Sequence, residues 1–411
     1  MAHKLVGACV FAQSGGPTAV INASAAGVFL TALKSKCITH VYAANHGVVG
    51  LLNDELFDIN LEDVKELEFL KYTPASAMGS SRYKLKDFGI DTTEYERILK
   101  TFKKHNIRYL FFNGGNDSMD TCNKISKYMK SEGYECRIIG IPKTIDNDLE
   151  ITDHCPGYGS AAKYIATTIR ELDLDVRVYD IPTVTIVEIM GRNAGWLTAA
   201  SALAYDHKPD LIYMPEVPFS IADFLKDVER IVETKRTCFI AVSEGIKTKD
   251  GEYVSETEQA KDNFGHAQLG GVGKYLENVV RHEFGYKCRS FEFSLMQRCA
   301  GHIASKTDID EAYQAGKSAV SYALKGATDK MIVLVRSKDE KGDYKCEYGL
   351  ESLSSTANVE KKFPEEWIDV KNAGIKDEFL EYAKPLIAGE PKIPYENSFP
   401  RYAKLKKVRA K

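Results

Sequence analysis

Residues 142–148, Pro142-Lys143-Thr144-Ile145-Asp146-Asn147-Asp148, crowd two carboxylates, a hydroxyl, an amide and an ammonium into one short stretch. Carboxylates this close repel each other and push one pKa up, while the adjacent lysine favours their charged forms. A base, a metal site and an anion clamp are all within the means of this segment. The same residues could equally close an Asx-turn with solvated charges, because Asn and Asp are habitual turn formers.

Three glycine-bearing loops stand where a parallel sheet does its chemistry. Ser14-Gly15-Gly16-Pro17-Thr18, Gly114-Gly115-Asn116-Asp117-Ser118 and Met190-Gly191-Arg192-Asn193-Ala194-Gly195 each follow a strand-like run and precede a helical one. Glycine lets the backbone approach a ligand, and the free amides of a helix start attract anions. None of the loops has the spacing of the nucleotide P-loop or of the three-glycine dinucleotide fingerprint. Arg82, Arg192, Arg289 and Arg298 lie near these turns or at strand ends, and forked guanidinium groups suit phosphate.

The elements that must position these loops are written in the apolar pattern. Strand-like runs at 5–12, 40–44, 108–112, 137–141, 183–189, 211–214, 238–242, 288–294 and 330–335 alternate with helical patterns such as 19–33, 117–130, 161–174 and 221–233. Alternation of this kind predicts parallel sheets covered by helices. The strands are too many for one ordinary doubly wound sheet, so we expect an α/β chain of two doubly wound, Rossmann-like domains with the active site in the cleft between them. The basic end at 404–411 reads as a solvated terminus.

Composition narrows the setting. Of 411 residues 44% are hydrophobic, enough for sizeable cores, and 55 basic against 58 acidic residues leave a formal charge of -3. That balance offers no general attraction to nucleic acid, so a polyanionic small molecule must find a local basic pocket. The nine cysteines include no CxxC and no zinc-knuckle spacing, which reads as reduced thiols. With no signal-peptide pattern and no apolar run approaching ~20 residues, the expectation is a cytoplasmic protein without a membrane span.

Seven motifs in order then carry a resemblance. Ser14-Gly15-Gly16, Gly79-Ser80-Ser81-Arg82, Gly114-Gly115-Asn116-Asp117-Ser118, Pro142 to Asp148, Met190-Gly191-Arg192, Pro215-Glu216 and Gln297-Arg298 resemble the phosphofructokinases, specifically their pyrophosphate-dependent branch, over about residues 6–335. The resemblance implies reversible transfer of a phosphoryl group from pyrophosphate to the 1-hydroxyl of fructose 6-phosphate, giving fructose 1,6-bisphosphate and phosphate, with Mg2+ as cofactor. It also implies that Asp146 is the base with Asp148 beside it, and that Arg192 neutralises the phosphoryl group in flight. By the same likeness Gly16, Arg82, Gly115, Asp117, Ser118 and Lys143 hold the donor. Thr144, Asp146, Met190, Gly191, Arg192, Glu216, Arg289 and Arg298 meet the sugar phosphate, with Arg289 supplied across a subunit interface of a homodimer or homotetramer. Asp117 and Asn116 are the implied metal residues, although Asn116 replaces the aspartate of many relatives.

Two positions bear on the donor. ATP-using relatives have glycine where this chain has Asp117 and Lys143. A carboxylate ~4 Å from a nucleotide α-phosphate costs about 4 kcal/mol at an effective dielectric of about 20, roughly three decades in affinity. Lys143 adds a point charge for a diphosphate that has no adenosine to contribute binding. An ATP-dependent enzyme is thus the nearest alternative, and a non-catalytic phosphosugar-binding subunit the alternative from another class; a seven-carbon sugar phosphate is also compatible. Thr183 and Leu295 stand where bacterial ATP-dependent relatives place an arginine and a histidine for the 6-phosphate, leaving His302, Lys306 and Tyr286 as substitutes. The expected division is 1–150 with about 275–305 as donor domain, 151–274 with about 306–340 as sugar-phosphate domain, and 341–411 as an extension packed on the core.

Overall fold

In the central strands both faces must be buried, and the sequence supplies apolar residues at consecutive positions to do it. A computed structural model describes residues 5–254, 271–356 and 360–411. Its strands are β1 (Gly7–Gln13), β2 (Ile38–Ala44), β3 (Leu56–Asp58), β4 (Ile107–Gly114), β5 (Arg137–Pro142), β6 (Thr183–Ile189), β7 (Leu211–Tyr213), β8 (Thr237–Ser243), β9 (Lys287–Glu292), β10 (Lys330–Lys338) and β11 (Tyr344–Ser352), with short pairs near the C-terminus. Phe11, Phe111 and Ile139 enter one core while Val10, Leu110 and Phe112 enter the core on the opposite face. Such two-sided burial is what parallel sheets flanked by helices require.

Two sheets result. The first runs β11-β10-β5-β4-β1-β2-β3 and the second β7-β8-β6-β9. In the first, β2, β1, β4, β5 and β10 are parallel neighbours, and β3 and β11 add antiparallel edges. The second is parallel throughout, with Val187 and Phe239 facing one core and Ile186 and Ile240 the other. The α/β class with two wound units is as expected.

The exchange of segments between the units runs opposite to expectation. Residues 287–292, placed with the donor unit, pair with β6 in the second sheet, and residues 330–338, placed with the sugar unit, pair with β5 in the first. The reason lies in the intervening helix Lys306–Leu324, which packs on the helix Ile21–Ala32 of the first unit. A Cβ on Gly316 would lie 2.1 Å from the Ser24 carbonyl oxygen, so only glycine allows this approach. The two backbones deliver the chain to the edge of β5.

The C-terminal residues divide between the units. β11 extends the first sheet, whereas Phe363, Trp367, Phe379 and Tyr382 close around Trp196 of the second, with ring centroids 5.0–6.1 Å apart for the pairs that include Trp196, Phe363, Trp367 and Tyr382. The basic end is not a free solvated terminus. Its backbone runs beside β3, where Asp58 N donates to Val408 O and Ala410 N to Leu56 O, both at 2.8 Å, and Glu62 accepts from the amides of Lys406 and Lys407. An edge strand offers unpaired backbone groups whatever the side chains of its partner. No described helix is long and apolar enough to cross a membrane.

Candidate active site

The segment after β5 turns sharply because its own side chains close it. Asp146 N donates to Thr144 Oγ1 at 3.1 Å, Thr144 N to Pro156 O at 3.2 Å and Lys143 N to Gly114 O at 3.1 Å. Asn147, fully buried with φ +55°, takes the left-handed conformation that asparagine tolerates. The turn and the chemical reading therefore coexist. Thr144 and Asn147 make the turn, and the carboxylates of Asp146 and Asp148 line a cavity of about 550 Å³ between the two units.

Loops at strand ends build the remaining walls. From the first unit come Ser14, Gly15 and Gly16 after β1, and Gly115 to Ser118 at the N-terminus of the helix Asn116–Ser131. Ser80 Oγ donates to Gly15 O at 2.6 Å and Gly15 N to Ser81 O at 3.3 Å, which brings Arg82 to the cavity. Lys143 Nζ reaches across to Gly16 O at 2.8 Å. From the second unit come Met190, Gly191, Arg192 and Asn193 after β6. Gly191 has φ +142°, and a Cβ there would meet the Ala194 carbonyl oxygen at 2.9 Å, so the loop requires glycine.

Glu244 is a wall residue that the motifs did not disclose. It follows β8, lines the cavity and accepts from Gly191 N at 3.2 Å, and burial pushes its carboxyl up to about 7 against that hydrogen bond. The signal available was weak, a Glu-Gly pair one residue after the run at 238–242. Glu360, from the C-terminal extension, also lines the cavity and accepts from Asn193 Nδ2 at 3.2 Å.

Burial holds the carboxyls of this turn above their ordinary range. Burial raises Asp146 above the ordinary carboxylate range, held back by the Thr144 hydroxyl, Lys143 and Arg192. Burial and then the charge of Asp146 push Asp148 up to about 7. Burial brings Lys143 down to about 8, although Asp146 and Asp148 favour its charged form. Asn116 and Asp117 add an amide oxygen and a carboxylate at the same wall, an all-oxygen set that fits a hard divalent cation such as Mg2+.

Of the expected site residues, Gly16, Arg82, Gly115, Asn116, Asp117, Ser118, Lys143, Thr144, Asp146, Asp148, Met190, Gly191 and Arg192 come together in this one cavity. Three stand off its wall. Glu216 Oε1 accepts from Gly195 N at 2.8 Å, while Oε2 is buried without a hydrogen-bond partner among the described residues. Arg298 stands beside the loop after β1, its Nη1 3.1 Å from where a Cβ on Gly16 would lie. Arg289 lies on β9, an edge of the second sheet with no further strand beside it among the described residues, with its guanidinium 5.7 Å from the Tyr179 ring. His302 is exposed, Lys306 pairs with Asp310 and Tyr286 stacks on Phe284, so none of these lines the cavity either.

Downstream of the carboxylates a buried ion-pair network holds the chain. His154 Nδ1 and Nε2 lie 2.7 Å from Asp153 Oδ2 and Glu311 Oε2, and Arg336 Nε binds Asp153 Oδ1 at 3.0 Å. Burial disfavours the imidazolium, but the hydrogen bonds to Asp153 and Glu311 outweigh it and lift His154 from 6.5 to about 9. A group raised on folding stabilises fully below its unfolded value, and that stability is lost as pH rises through the folded value. The advantage of the native chain over His154→Gln in urea unfolding is therefore expected to shrink by roughly 3 kcal/mol between pH 6 and pH 10. An advantage that stays constant with pH would mean a neutral imidazole in the fold.

A family model described as phosphofructokinase matches residues 8–322. The chain is 44% identical over 401 residues to a pyrophosphate–fructose 6-phosphate 1-phosphotransferase of Methylococcus capsulatus, covering 96% of this chain and 95% of that one. It is 45% identical over 408 residues to the protein of the same name in Xanthomonas campestris, covering 98% and 97%. A crystal structure of a pyrophosphate-dependent phosphofructokinase from Marinobacter aquaeolei is similar with a TM-score of 0.89 at 40% identity, covering 99% of this chain and 98% of that one.

Proposed function

The chain belongs to the phosphofructokinase family, and from that premise we propose that it moves a phosphoryl group reversibly between pyrophosphate and the 1-hydroxyl of fructose 6-phosphate. The observation that carries this reading is the meeting of Asp146, Lys143 and Arg192 in one cavity with Asp117 at a helix N-terminus. Asp146 accepts the proton of the 1-hydroxyl as its oxygen bonds to the terminal phosphorus. The bond from that phosphorus to the bridging oxygen breaks and phosphate leaves. Arg192 stands opposite the first unit to offset charge on the transferring group. Lys143, Arg82 and the glycine amides hold the diphosphate. Glu244 faces the same space as Gly191 and accepts from a sugar hydroxyl. Asn116 and Asp117 would hold Mg2+, which when bound offsets the charge of the diphosphate. Parallel assays with pyrophosphate, ATP and GTP test the reading: pyrophosphate should support turnover far better, and equal rates with ATP would overturn it.

The working unit we propose is a homodimer or homotetramer in the cytoplasm. The nine free cysteines favour a reducing compartment. For assembly, β9 has one edge open among the described residues, carries Arg289 outside the lining of its own chain's cavity and exposes Phe291. If Arg289 clamps a partner's sugar phosphate, each lost charge-assisted bond costs about 1.5–3 kcal/mol. Mixing Arg289→Ala with Asp146→Asn subunits should restore activity, since mixed dimers contain one intact site. Proven mixed dimers without activity, or a fully active monomer in sedimentation, would count against it.

A further inference from the structure

The two carboxylates at the centre of the site are held by a part of the chain that the family match, ending at residue 322, does not include. Asn147, between them in sequence, is fully buried and cannot reach water for its amide. Its Oδ1 accepts from Cys155 N at 2.9 Å, and its Nδ2 donates to the Tyr382 hydroxyl at 3.0 Å. That hydroxyl in turn donates to Asp153 O at 2.8 Å. Lys361 takes the other side: its N donates to Asp148 O at 2.8 Å, and its Nζ donates to Asp153 O at 2.7 Å and Thr152 O at 3.1 Å. Both residues are themselves fixed. The Tyr382 ring packs on Trp196 and Trp367 and lies 4.6 Å from the Arg336 guanidinium, and Trp196 Nε1 donates to Lys361 O at 3.2 Å.

We propose that Tyr382 and Lys361 are positioning residues for phosphoryl transfer, clamping the Asn147 amide between Asp146 and Asp148 and the backbone from Asp148 to Asp153 so that the base meets the sugar hydroxyl in line with phosphorus. This rests on the activity proposed above. Neither residue lines the cavity, so neither touches substrate. Their effect is on aim, and a misplacement of about 1 Å at a reacting group costs on the order of 100-fold in rate. The Tyr382 phenol stays neutral, because burial raises its pKa far above the ordinary value, so the bridge persists across the working pH range.

Tyr382→Phe removes the hydroxyl and keeps the ring packing. The expected result is a fall in kcat of about tenfold or more with KM for both substrates within about twofold, measured well below the melting temperature; Lys361→Met should act in the same direction. A lowered melting temperature with kcat unchanged would overturn the proposal, since packing alone would then account for both residues. A second readout does not depend on turnover. With aspartate labelled at its carboxyl carbon, the NMR titrations of Asp146 and Asp148 should move in Tyr382→Phe by half a unit or more, because the charged groups facing the pair (Lys143, Arg192, Glu244, Arg298, Glu360 and Lys361) are all kept and only the distances to them and to the Thr144 hydroxyl change. Native chain inactive with pyrophosphate and fructose 6-phosphate would remove the reading of the preceding subsection, while unmoved titrations would still overturn this one.

Discussion

Asp146→Asn should lower turnover with pyrophosphate and fructose 6-phosphate by ~100-fold or more while leaving KM for the sugar phosphate within a few-fold. The substitution keeps the shape of the side chain and an oxygen to accept from Thr144 Oγ1 at 3.3 Å, but removes the ability to accept a proton. It also removes a negative charge that raises Asp148, so ground-state binding of anionic substrates is not expected to suffer. The pH profile gives an independent check. Because burial raises Asp146 above the ordinary carboxylate range, kcat/KM of the native enzyme should fall on its acid side at a higher pH than a solvent-exposed aspartate would give. Near-normal turnover in Asp146→Asn would transfer the role of base to Asp148 or Glu244, the two other raised carboxyls in the cavity.

Donor choice should shift when Asp117 and Lys143 are both replaced by glycine. In the native chain Asp117 occupies the first turn of the helix Asn116–Ser131, where a phosphate would otherwise find free amides. A nucleotide α-phosphate ~4 Å from that carboxylate meets about 4 kcal/mol of repulsion, so Asp117→Gly, made together with Asn116→Asp to keep one carboxylate for Mg2+, should raise kcat/KM for ATP by up to roughly three decades. Lys143→Gly should weaken pyrophosphate use, since Nζ is both a charge in the cavity and the group that holds Gly16 O at 2.8 Å. The two positions share one pocket and their effects should not add. With Lys143 held at about 8, it is charged below that pH and neutral above it, so kcat/KM for pyrophosphate in the native enzyme should decline as pH rises through about 8. A double variant that still ignores ATP would place donor selection elsewhere on the wall.

What could be read in the chain were strands such as 238–242, whose two-sided burial leaves an unbroken apolar run, and the loops that follow them. Those loops name most of the cavity, because strand ends in a parallel sheet converge on one edge. Glu244 escaped since a single glutamate after a strand carries no local pattern. β11 escaped as well: as a half-exposed edge strand it alternates Tyr344-Lys345-Cys346-Glu347 rather than forming an apolar run.

The sequence by itself determined the class of fold and the residue types of the carboxylate turn, because these depend on neighbours within a few positions. Only the tertiary structure decided which sheet receives β9 and which β10, that the basic end is strapped along β3, and that Asn147 is held by Tyr382, 235 residues away. Periodicity records how much of an element is buried but not against what. The partner is chosen by where the chain returns, and that depends on close approaches such as Gly316 against Ser24, which no local pattern encodes.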